Sequence, residues 1–389
     1  MITWTDLVQR IRELDGLRAL AVLAVLAFHY TLGSPLANRA SGLGWMGVDL
    51  FFVLSGYLIT GILLASRRRP GYFATFYARR TLRIFPIYYL LLAIYLVAAR
   101  VDGGPQPWAY WGMHAAYLSS SLEHFHSWNF AAPAFVYAGV TVLWSLSIEE
   151  QFYLLWAPVV RWLGRRELWM ALGAVLVAAP LVRHGMHTRW HPEYRFLPAR
   201  FDSLAWGALL ALAFQAWGGR PERLGRGLAG LGWVAGLALA GLLAATGGQR
   251  QSLAFATYGY TALGALFAAV VGWTVLRAGS GAWLCRGLRW RPAQALGRIS
   301  YATYLIHYPI LLLVGGWLRP WLGGGAWATV ARDLLSLGLT LAVAAASWRW
   351  VEGPILRFKD RWAPARGFPI EPQPVRMRTA DVAASREPV

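Results

Sequence analysis

Charged residues are what this sequence lacks most. They make up 14% of its 389 residues, against roughly 25% in a soluble domain, and that deficit excludes a soluble enzyme of this size. Acidic side chains are scarcer still, 18 against 37 Lys+Arg. There is one cysteine, Cys285, so neither an internal disulfide nor a cysteine-based metal site can form, and no metal is expected. Strand-like alternation is missing, which sets aside a membrane β-barrel. No internal repeat is visible, although two similar halves are common in transporters.

What the chain has is hydrophobic length. Apolar residues reach 57%, and there are 22 tryptophans, many at the ends of apolar runs where an indole sits at headgroup level. A span needs roughly 20 mainly apolar residues. Ten runs qualify: 14–31, 45–65, 84–100, 141–160, 168–185, 201–217, 228–246, 253–277, 299–318 and 332–350. Backbone groups in lipid must pair within their own segment, so the expected fold is all-α, a polytopic integral membrane protein with about ten transmembrane helices. The first run follows Arg10 and Arg12 without a cleavage pattern and is expected to stay as the first span.

The net charge of +19 comes from arginines in short loops, the pattern found beside anionic lipid rather than on a nucleic-acid-binding face. Putting the N-terminus inside places most of the Lys and Arg on the inner side, including Arg67, Arg68, Arg69, Arg79, Arg80 and Arg83 after span two. The positive-inside rule therefore predicts both termini in the cytoplasm of a bacterial-type inner membrane. Residues 1–361 form the membrane domain, and 362–389 read as a disordered cytoplasmic tail. Residues 101–140, rich in aromatics and histidine, are too long for a passive link and are expected to form a packed cover or re-entrant piece.

Ionisable residues within spans are costly and mark function. Arg18 and His29 lie on the first span eleven residues apart, about 1100° and hence on one helix face, separated by about 16 Å. Asp49, Glu149 and Asp202 fall at a depth similar to His29, and a carboxylate beside a histidine makes a general base. Glu150 points about 100° away from Glu149. Arg80 and Arg83, three apart, suit phosphate through forked hydrogen bonds, and coenzyme A has phosphates at one end and a long thioester arm. Each feature also has a plainer account. The arginine run serves as a topology signal, Asp15 as a helix cap, Asp202 with Arg200 as a helix-start pair, and His307 as an interhelical hydrogen-bond donor.

At these residues the chain resembles a known family, the type-3 membrane acyltransferases, which include O-acetyltransferases of surface polysaccharides, nodulation factors and macrolides. The likeness begins with Leu14-Asp15-Gly16-Leu17-Arg18 running to His29. It continues through Gly47-Val48-Asp49-Leu50-Phe51-Phe52, Arg80-Thr81-Leu82-Arg83, and Trp144-Ser145-Leu146-Ser147-Ile148-Glu149-Glu150. It ends with Ser300-Tyr301-Ala302-Thr303-Tyr304-Leu305-Ile306-His307 and Val351-Glu352-Gly353-Pro354. The resemblance implies an acyl-CoA-dependent O-acyltransferase, usually with acetyl-CoA. His29 would be the base or acyl relay, Arg18 essential, and Arg80 and Arg83 would handle the donor. Many members carry histidine where this chain has Val142. Some add a hydrolase-like domain outside the membrane; here only 351–389 follow the last span, so this chain is expected to act alone or with a separate protein. The expected acceptor is a hydroxyl of a carbohydrate, a lipid-linked glycan or a small natural product. The rival is a proton-coupled transporter or flippase using the same His29 and carboxylates. Oligomeric state is not readable from the sequence.

Overall fold

Peptide groups that lose water must find partners, and in an apolar run the nearest are one helical turn away. The computed structural model describes residues 11–31, 39–105, 107–122, 132–187, 194–323 and 325–362, and every regular element among them is helical. Ten long helices match the ten expected spans in order. They are α1 Arg12–Thr31, α2 Gly47–Ser66, α3 Tyr72–Val101, α4 Trp144–Trp162 and α5 Arg165–His187. Then come α6 Leu197–Trp217, α7 Pro221–Thr246, α8 Tyr260–Leu276, α9 Arg291–Leu322 and α10 Ala326–Ser347.

Among the described residues nine helices are long and apolar enough to cross a membrane. The exception is α4, whose 19 residues include Glu149, Glu150, Gln151 and Arg161. A second difference lies in α3. It starts at Tyr72, after Gly71 in the left-handed conformation (φ 70°), twelve residues before the expected span at 84. Arg79, Arg80 and Arg83 are therefore helical. Hydropathy discounts arginines, but Phe76 of this first stretch is buried, and Tyr77 donates to the Leu154 carbonyl of α4.

Small residues set how closely the helices pack, as expected where lipid offers no hydrophobic drive. The α2–α6 pair is the tightest example. A methyl group on Gly56 would overlap the Leu204 carbonyl, and one on Gly207 the Val53 carbonyl. The same holds between α1 and α9, where Gly297 lies against the Asp15 carbonyl. α1 and α2 thus become the axis around which α6 and α9 close. A large core of Phe52, Ile84, Tyr88, Phe152, Leu204 and Leu305 joins α2, α3, α4, α6 and α9.

The 101–140 stretch is packed where described. It contains short helices Trp108–Ala115, Ser119–Leu122 and Ala134–Val142, with Tyr110, Trp111 and His114 buried. Tyr88 of α3 donates to the His114 carbonyl at 2.7 Å, and Gln151 of α4 to the Tyr117 carbonyl at 2.6 Å. His124, His126 and Trp128 lie outside the described residues, as does the expected tail beyond Trp362.

Candidate active site

On α4, Ser145, Glu149 and Tyr153 recur every four residues and share one face. On α9, Ser300, Tyr304 and His307 do the same at spacings of four and three. Ser145, Glu149 and Tyr153 line, together with Ser300 and Tyr304, a cavity of about 110 Å³ that is also lined by Arg18, Ser55, Arg80, Arg83 and Tyr301. Phe51, Phe52, Leu54 and Leu58 form its apolar wall.

The carboxylate of Glu149 accepts from the Tyr153 phenol at 2.8 Å. That phenol shares a short hydrogen bond with Ser55. Arg80 lies over the Tyr153 ring, 5.1 Å from its centre, and the charges of Arg80, Arg83 and Arg18 all act on Glu149. Arg18 is itself oriented by Asp15 at 2.7 Å. The sequence-derived arginines and Glu149 therefore meet in one cavity. Glu150 is not among the residues of the cavity, and its Oε1 has no hydrogen-bond partner among the described residues.

His29 does not line this cavity. The cavity's far end is Tyr304, whose hydroxyl accepts from Ser145 at 2.7 Å. One turn further along α9 stands His307, its ring centre 5.8 Å from that of Tyr304. The Nε2 of His307 is 3.1 Å from Nδ1 of His29. His29 is thus paired with a second histidine and not with Asp49 or Glu149, the carboxylates expected from depth.

Carbonyl partners fix the tautomers. Nδ1 of His307 faces the Tyr304 carbonyl at 2.6 Å, and Nδ1 of His29 the Val25 carbonyl at 3.0 Å. A carbonyl only accepts, so each Nδ1 carries the hydrogen when the ring is neutral. His307 Nε2 is then an acceptor for the same His29 N–H. The lone pair of His29 lies on Nε2, which has no partner among the described residues. Such an imidazole is a base with its proton acceptor free.

Two expectations about the outer carboxylates change. Asp49 binds Arg200 of α6 at 2.6 Å and accepts from Ser203 at 2.9 Å. The glycine contact between α2 and α6 brings these groups together. Asp202 does not pair with Arg200; it meets Arg183 of α5 at 3.0 Å and Thr261 of α8 at 2.5 Å. Arg183, Arg200, Asp49 and Asp202 are all fully buried. Trp144, at the head of α4, packs its ring against Phe52 and Tyr194 and is not among the residues of the cavity.

The residues that sequence reasoning missed are Ser55, Ser145, Tyr153 and Tyr304. The signal was present as polar side chains repeated every three or four residues on otherwise apolar spans. Among the described residues, no group of three His, Cys, Asp or Glu is placed to hold a metal ion.

The chain is 27% identical over 364 residues to the peptidoglycan O-acetyltransferase OatA of Listeria monocytogenes, covering 88% of this chain and 55% of the relative. It is 26% identical over 363 residues to the O-acetyltransferase OatA of Staphylococcus aureus, covering 88% and 56%. The chain thus spans about half the length of these curated relatives. No solved structure matches it. The model of the acyltransferase domain matches residues 11–349, from the start of α1 to beyond the end of α10, and the chain belongs to the type-3 membrane acyltransferases.

Proposed function

We propose that the chain is a membrane-embedded O-acyltransferase that moves an acyl group, in first place acetyl, from acyl-CoA to a glycan hydroxyl. The observation that carries this is the cavity lined by Arg18, Arg80, Arg83 and Glu149, ending one turn of α9 from the His29–His307 pair. Its apolar wall of Phe51, Phe52, Leu54 and Leu58 suits a thioester arm. Arg80 and Arg83 would receive phosphates at its mouth through charge-assisted hydrogen bonds. The arginine-rich ends of the helices then face the cytoplasm, where acyl-CoA is made. The glycan acceptor follows the two relatives named as O-acetyltransferases, one of them of peptidoglycan.

In the reaction, the acceptor oxygen bonds to the thioester carbonyl carbon while its proton passes to His29 Nε2. The carbon–sulfur bond then breaks, and the departing thiolate takes the proton from the imidazolium. The products are an O-acyl ester and free coenzyme A. His307, bonded to the far nitrogen of His29, holds the base in the tautomer this step requires. Tyr304 stands between cavity and histidines, so its ring must swing aside for the arm to pass. Asp49 is a structural partner of Arg200 in this scheme, and Glu149 positions the arginines.

The test is acetyl-CoA consumption by the full chain in membranes with a glycan acceptor. General-base loss costs about 10²–10⁴-fold, so His29→Ala should remove transfer while the protein still inserts. Arg83→Ala should raise KM for the donor more than it lowers kcat. Near-normal turnover by His29→Ala would refute the mechanism. Intact acetyl-CoA alongside acceptor movement would favour the transporter instead.

A further inference from the structure

A second cavity, about 310 Å³, opens at the end of the bundle where α2 and α6 finish and α5 begins. Three arginines line it, Arg67, Arg68 and Arg165, together with Gln215, Leu64 and Leu168. No acidic residue is among the described residues lining it. Arg67 already donates to the Arg161 and Leu163 carbonyls at the end of α4. Arg68 and Arg165 are exposed and form no ion pair among the described residues.

The surroundings fix the depth. Trp162 is 70% and Trp217 45% exposed, and the Trp217 ring lies 5.7 Å from that of Trp169. Such indoles collect at the headgroup level of a bilayer. Leu64 and Leu168 give the cavity an apolar wall. A ligand here would be anionic at the rim and apolar below.

The donor's phosphates are not that ligand. Ser55 faces the first cavity. Leu64 is nine residues, about 13.5 Å, further along α2, and no residue lines both cavities.

We propose that this arginine cavity binds the phosphodiester headgroup of an anionic phospholipid. The lipid phosphate bridges Arg68 and Arg165, with Gln215 as a further donor, and its acyl chains leave over Leu64 and Leu168. Bound there, it fastens the start of α5 to the α2–α4 joint that Arg67 makes. The site is independent of the acyl-transfer chemistry.

Native mass spectrometry of the full chain, with phosphatidylglycerol or phosphatidylcholine added to the detergent, tests this. Phosphatidylglycerol should be retained preferentially and raise the melting temperature. The double variant Arg68→Gln/Arg165→Gln should bind it about thirtyfold more weakly, as expected for two arginine contacts to anionic lipid. Arg223→Gln/Arg226→Gln, two exposed arginines in the first turns of α7 at the same end of the bundle, should leave binding unchanged. Melting in phosphatidylcholine checks that each variant is folded; should the double variant fail, the single Arg68→Gln replaces it. Equal retention of the two lipids, undiminished binding by a folded Arg68 variant, or displacement by an equal concentration of glycerol phosphate would overturn the proposal.

Discussion

His114 is buried in the Trp108–Ala115 helix with neither ring nitrogen bonded among the described residues. Burial without a partner disfavours the charged form and lowers its pKa from 6.5 to about 4. An unfolded chain takes up a proton below pH 6.5, and the folded chain only near 4. Stability from this residue is therefore complete above the window and lost as pH falls through it, by about 2 kcal/mol at pH 5. Melting temperature should drop between pH 7.5 and 5, and His114→Leu should flatten that slope; parallel slopes would contradict the assignment. A buried ion pair behaves differently. Asp49→Ala strands Arg200 in the interior, which costs about 3–5 kcal/mol, and should lower the melting temperature sharply. Asp49→Asn keeps an acceptor for Arg200 and Ser203, and the folded fraction should retain transfer; a folded but dead Asp49→Asn would make the carboxylate part of the chemistry. How far these roles were legible differs by residue. The shared face of Arg18 and His29 follows from one helix's periodicity. The partner of His29 does not, because His307 is 278 positions away and periodicity is silent on which helices touch. Asp49 matched His29 in depth, yet depth leaves open which side of the bundle a residue faces.

Between helices the decisive contact is α2 against α6. Gly56 and Gly207 let each helix rest on the other's carbonyls, and that approach brings Asp49 within reach of Arg200 and Ser203. Gly207→Ala places a methyl where the Val53 carbonyl lies. Overpacking of this kind costs about 1–3 kcal/mol, so the melting temperature should fall and exposure of α6 to proteolysis rise. An unchanged melt would mean the pair is looser than described. The helices themselves were readable because twenty apolar residues leave few alternatives. The start of α3 was not. Arginine counts against a span by transfer energy, whereas Arg80 and Arg83 face a polar cavity and not lipid. Similarly, α4 is the one of the ten described helices that falls short of a span by composition, and one of its stripes is a wall of that cavity. Hydropathy errs where a helix faces a polar cavity instead of lipid, and the size of the error points to that cavity.

At the scale of the whole molecule, charge asymmetry and the cavity give the same direction. The ends of α2 and α6 and the starts of α3, α5, α7 and α9 gather the arginines, and the first cavity is lined by Arg18, Arg80 and Arg83 toward that same end. His29, near the last turn of α1, lies toward the other. A donor entering at the basic end and an acceptor at the opposite end would meet at the histidine pair, provided the basic end is cytoplasmic. The native Cys285 is fully buried and should stay silent to maleimides, so single introduced cysteines can report the orientation. Gln249, after α7, and Arg223, in its first turn, are both exposed and stand at opposite ends of one helix. In intact cells a membrane-impermeant maleimide should label Gln249→Cys and leave Arg223→Cys unlabelled until the membrane is opened. The reverse pattern would put Arg80 and Arg83, the proposed phosphate ligands, outside, away from any acyl-CoA, and the proposed direction of transfer would fail with it.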